Sequence, residues 1–72
     1  RQANDSLVQF VRIASHDLRE PLNTITQFVS LIDEDHGAML PPDARQYMRL
    51  VLRAGARMRT LLDDVVRYAR LQ

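Results

Sequence analysis

Seventy-two residues without a cysteine leave room for one small domain and exclude both a disulfide framework and a thiolate zinc site. Ten basic residues against nine acidic ones give a net charge of +1, and interleaved Asp and Glu break up any basic stripe, which argues against a nucleic-acid partner. No apolar run approaches the length of a bilayer span and no signal peptide is visible, so no membrane contact is expected within this stretch, any membrane segment of a soluble or anchored parent lying outside it, and the absence of Cys fits a cytoplasmic location. A core this small rarely contributes more than about 3–5 kcal/mol alone, so association is the remaining route to stability. All the basic residues are Arg and none is Lys. The guanidinium fork suits phosphate, but a GC-rich genome produces the same bias.

Apolar periodicity predicts a first helix from about Asp5 to about Asp35, with Asn4, Asp5 or Ser6 as its cap, or with the helix continuing upstream of them. Val11, Leu18, Ile25 and Ile32 recur at one heptad position, and Leu7, Ala14, Pro21 and Phe28 at another. This is the a and d spacing of a helix-packing seam. Phe10, Leu22, Val29 and Leu31 widen the stripe. His16 falls at position f, furthest from the seam.

The stretch from His36 to Pro42 reads as a turn, with Gly37 suited to a left-handed cap and the prolines able to start a second helix but not to extend the first. His36 itself reads as a helix-end residue that satisfies last-turn carbonyls. The second helix is expected from about Pro42 to Arg70, with Asp43 in its first turn, where a negative charge suits the helix dipole. Ala44, Val51, Met58 and Val65 mark one seam position and Tyr47, Ala54, Leu61 and Tyr68 the other, with Leu50, Leu62, Val66 and Ala69 beside them. Gly55 costs about 1 kcal/mol relative to Ala in a helix, and with Ala54 and Ala56 it either serves close packing of a partner or is tolerated drift. A hairpin leaves one flank of each stripe wet. The expected fold is therefore all-α: a two-helix antiparallel hairpin, one domain over residues 1–72, that pairs with a second copy as a four-helix bundle.

An exposed histidine usually has no role, but Pro21 changes that reading. Proline cannot donate to the carbonyl of Asp17, and its ring pushes against that group, so the turn after His16 is loosened and a bend is expected. A cost of roughly 3 kcal/mol beside an exposed imidazole is hard to explain as packing.

The residues Ser15-His16-Asp17-Leu18-Arg19-Glu20-Pro21-Leu22 resemble the phosphoacceptor box of sensor histidine kinases. Phe10 to Ser15 is similar to the usual lead-in, and Arg53 to Leu71 to the second helix of their dimerisation and histidine-phosphotransfer domain. The resemblance implies that His16 is phosphorylated from ATP, with Mg, by a separate catalytic domain, and hands the phosphoryl group to an aspartate of a response regulator. It also implies a homodimer, with the regulator docking near the box and the adjacent part of the second helix. Asp17 would orient the imidazole or take its proton. Arg19 would contact phosphate, or equally pair with a carboxylate such as Asp17 or Glu20. Glu20 stands where relatives often have Thr or Asn linked to dephosphorylating the regulator. An ionised carboxylate cannot donate a hydrogen bond there and repels a phosphoryl group, so strong phosphatase activity by that route is not expected. Asn23 and Thr24 are nearby but do not take that position.

No Gly-rich nucleotide loop occurs and there are only two glycines, so no cofactor-binding or metal residues are assigned to this chain and catalysis needs the larger protein. A non-catalytic helical dimerisation module is the alternative; it explains the heptads but not His16 and Pro21. A monomeric phosphotransfer bundle needs four helices, and the chain supplies two.

Overall fold

The computed structural model describes the backbone of residues 2–71 and the side chains of residues 5–71. Helix α1 spans Gln2–His36, a 3-10 turn spans Gly37–Met39, and helix α2 spans Pro42–Leu71. The ion pair Asp33–Arg45, the hydrogen bond from Arg59 to Asn23 and the ion pair Arg19–Asp63 climb one helix while descending the other. The two helices are thus an antiparallel hairpin, a rod 56 Å long and 15 by 11 Å across. Among the described residues no helix is long and apolar enough to cross a membrane.

Helix α1 begins before the expected caps: Asn4, Asp5 and Ser6 lie inside it. Asp5 still stands in the first turn, where its charge suits the dipole. Gly37 differs too, because no glycine has a positive φ among the described residues. The last turn of α1 instead tightens into the 3-10 turn, closed by the Leu40 N–H donating to the Gly37 carbonyl at 3.2 Å. Space, not φ, favours glycine there. A Cβ on Gly37 would sit 3.0 Å from Asp33 Oδ1 and 3.2 Å from Arg45 Nε, the two groups that pair across the turn at 3.4 Å. Leu40 is extended, as a residue before proline prefers. The Pro41 carbonyl accepts the Arg45 N–H at 3.2 Å, and Pro42 opens α2, where its missing donor costs nothing.

The inner seam sits one heptad position away from the a and d stripe. On α1 the covered residues are Val8, Ser15, Leu22 and Val29 at position e, with Arg19, Thr26 and Asp33 at position b. On α2 they are Met48, Gly55, Leu62 and Ala69 at e, with Leu52 and Val66 at b. Several of these are small, so the helix axes approach closely. A Cβ on Gly55 would lie 2.5 Å from Thr26 Cγ2, so Gly55 serves close packing within the hairpin. The larger a and d residues are left outside, among them Leu18, Ile25, Phe28, Ile32, Leu61 and Tyr68. Periodicity reports the widest apolar stripe, and here that stripe is not the one the hairpin closes on.

Candidate functional site

His16 stands on α1 directly after buried Ser15, and its own side chain is 72% exposed. The rigid hairpin fixes the backbone while the imidazole projects into solvent. Its Nδ1 lies 3.7 Å from Asp17 Oδ1 and 3.9 Å from Glu20 Oε2. Both separations exceed hydrogen-bond range, yet they turn the Nδ1 edge toward negative charge. Nε2 has no partner among the described residues. One ring nitrogen is thus directed at proton acceptors and the other is open to an incoming electrophile.

Helix α1 runs unbroken through Pro21. Without an N–H, Pro21 leaves the Asp17 carbonyl short of its donor one turn on, immediately beside the imidazole. Thr24 Oγ1 donates to the carbonyl of Glu20 at 3.1 Å, and Asn23 Oδ1 accepts from Arg59 at 2.8 Å. Neither is free to reach His16. Glu20 is exposed one turn after His16 on the same face.

Arg19 points to α2. Its Nη2 pairs with Asp63, not with Asp17 or Glu20, and its Nε is buried without a partner. The reason is its place at position b, one of the two positions that face α2. Asp63 was not singled out from the sequence, since two adjacent acids in a helix ordinarily read as a solvated face. Asp64 does behave that way, pairing with Arg67 at 3.2 Å on its own surface.

Beside His16 an open groove of about 510 Å³ is lined by Gln9, Arg12, Ile13, Ser15 and Arg19 from α1 and by Val66 and Arg70 from α2. Three arginines therefore line the groove together with His16. Arg12 was legible in principle, because four residues before His16 on a helix is the same face. Arg70 depends on the pairing of the two helices. His36 ends α1, exposed and about 30 Å from His16 by helical rise. Among the described residues no group of three or more His, Cys, Asp or Glu is placed to hold a metal.

The family profile described as the His Kinase A (phospho-acceptor) domain matches residues 6–72. Over 70 residues, 97% of the chain, the sequence is 36% identical to the phytochrome-like protein Cph1 of Synechocystis sp. and 34% identical to cyanobacterial phytochrome A of Nostoc sp.. In both cases 9% of the relative is covered. A sensor-like histidine kinase of Rhizobium meliloti is 27% identical over 71 residues, 14% of its length. The chain thus spans about a tenth of the curated relatives it matches. No solved structure matches it.

Proposed function

The chain belongs to the His Kinase A phospho-acceptor domain family, and from that membership we propose that His16 is its phosphorylated residue, within a sensor histidine kinase of a two-component system. The observation that supports this most is the exposed imidazole with carboxylates at its Nδ1 edge and an open Nε2. The donor is ATP, with Mg, held by a separate catalytic domain. The Nε2 lone pair attacks the terminal phosphorus as the bond to the bridging oxygen breaks, and ADP leaves with the electron pair. Nδ1 then loses its proton toward Asp17, with Glu20 as the second acceptor. An in-line displacement needs reach more than covalent help, and position f supplies it. The phosphohistidine then passes its phosphoryl group to an aspartate of a response-regulator receiver domain. ATP supply places this chemistry in the cytoplasm.

The phosphoacceptor works as a homodimer in this reading. The a and d faces of α1 and α2 are both exposed in the single hairpin, and a second copy covers them as a four-helix bundle. Arg19, committed to Asp63, holds α2 against the box, so its part in phosphate contact is secondary. Glu20 offers no donor to orient a water, so phosphatase activity by the family's usual route is weak.

The test is transfer from labelled ATP by a histidine-kinase catalytic domain to the wild-type chain and to His16→Gln. Acid-labile label on the wild type and none on the variant is the expected result. No label on the wild type, beside a control bundle that is labelled, would favour the dimerisation module.

A further inference from the structure

Arg19, Arg12 and Arg70 all border the groove next to His16, but they are not equivalent. Arg19 is paired with Asp63. Arg67, in the neighbouring groove that shares Arg19, Val66 and Arg70, is paired with Asp64. Arg12 and Arg70 are exposed and have no carboxylate partner among the described residues. Two unneutralised guanidinium groups thus face one opening, contributed by different helices, with the reacting imidazole on its rim. The acids that face His16 from its own helix are Asp17 and Glu20. They suit the proton that leaves, but they repel a phosphoryl dianion. Opposite charge near the ring offsets that repulsion, and Arg12 lines the same groove one turn before His16.

We propose that Arg12 and Arg70 form a phosphoryl-oxygen site beside His16: they hold the equatorial oxygens of the group in transit while the imidazole nitrogen bonds to phosphorus. This rests on the phosphoacceptor reading for the identity of its ligand. The guanidinium fork matches two oxygens of one phosphoryl group at a time, and such contacts are charge-assisted. Contribution from both helices makes the site dependent on hairpin register, since Arg70 reaches the groove only while α2 is docked on α1. The Arg19–Asp63 pair maintains that docking without occupying the site.

Potassium phosphoramidate provides a probe that needs no catalytic domain. The imidazole nitrogen forms its bond to phosphorus as the phosphorus–nitrogen bond of the reagent breaks, and ammonia leaves, taking the imidazole proton as ammonium. His36, exposed at the far end of α1, reacts with the same reagent and serves as a standard within each molecule. Site-resolved mass spectrometry then gives the ratio of initial rates at His16 and His36. In Arg12→Gln/Arg70→Gln the ratio is expected to fall by about fivefold, the size two exposed charge contacts produce together. In Arg53→Gln/Arg57→Gln, which removes equal charge at least nine residues along α2 from Val66, it is expected to stay at the wild-type value. The single variant Arg12→Gln should fall by about twofold. All these side chains are exposed, so helicity by circular dichroism should not change. Equal ratios in the two double variants would overturn the proposal. Failure of ATP-dependent labelling, with the phosphoramidate ratios still separated, would instead remove the kinase reading and leave the anion site standing.

Discussion

At the scale of single residues the region around His16 combines features that stability alone would not select. Within the single hairpin Pro21 is exposed, so its ring contributes little packing there, and it removes a donor from the interior of a 35-residue helix. Replacing it by Ala returns the N–H to the Asp17 carbonyl. Pro21→Ala is therefore expected to raise stability by about 2–3 kcal/mol in urea unfolding and to slow ATP-dependent labelling of His16. A loss of stability would mean that the ring packs rather than strains. The imidazole, its neighbouring acid and the proline were all legible in the sequence, because each depends on helical position within one segment. The partner of Arg19 was not. Asp63 lies 44 residues away, and only the pairing of the two helices brings it there.

At the scale of elements, two long helices and one turn followed from periodicity and proline placement, and their bounds fall within a few residues of those expected. What periodicity misplaced was the phase of contact. Apolar counting put Leu22, Leu62 and Ala69 beside the seam, whereas the hairpin closes on them, with the small Ser15 and Gly55 in the same rows. Gly37 was misread for a related reason: it answers a steric demand from Asp33 and Arg45, which no local pattern announces. The contact at Gly55 makes a sign-reversing prediction. Gly55→Ala gains about 1 kcal/mol of helix propensity, but its methyl meets Thr26 Cγ2 at 2.5 Å, and overpacking of this kind costs about 1–3 kcal/mol. In the wild-type background the substitution should destabilise or at best be neutral. In a Thr26→Ser background, which lacks that methyl, the same substitution should stabilise. Equilibrium unfolding of the four variants checks this, and an unchanged effect in both backgrounds would show that the helices do not meet there.

For the whole molecule, a rod 56 Å long leaves Phe28 59% and Leu61 58% exposed. Each such side chain contributes about 1.5–3 kcal/mol when covered. The a and d register read from the sequence stays uncovered in the single hairpin, and it is the face that the proposed second copy would cover. Sedimentation should find two copies per particle. Leu61→Glu should shift the particle toward one copy and lower helicity, while Arg53→Glu, on an exposed polar position, should leave two. A Leu61→Glu chain still of two copies would move the interface elsewhere.

The claim that ties these scales together is that the Nε2 nitrogen of His16, open to solvent while Nδ1 faces Asp17 and Glu20, receives the phosphoryl group. Nitrogen-15 NMR of the labelled chain after incubation with ATP and a histidine-kinase catalytic domain tests it most directly. Attack as described gives one phosphohistidine, at His16, with phosphorus on Nε2. Phosphorus on Nδ1, modification of His36 instead, or two unchanged imidazoles beside a phosphorylated control bundle would contradict it.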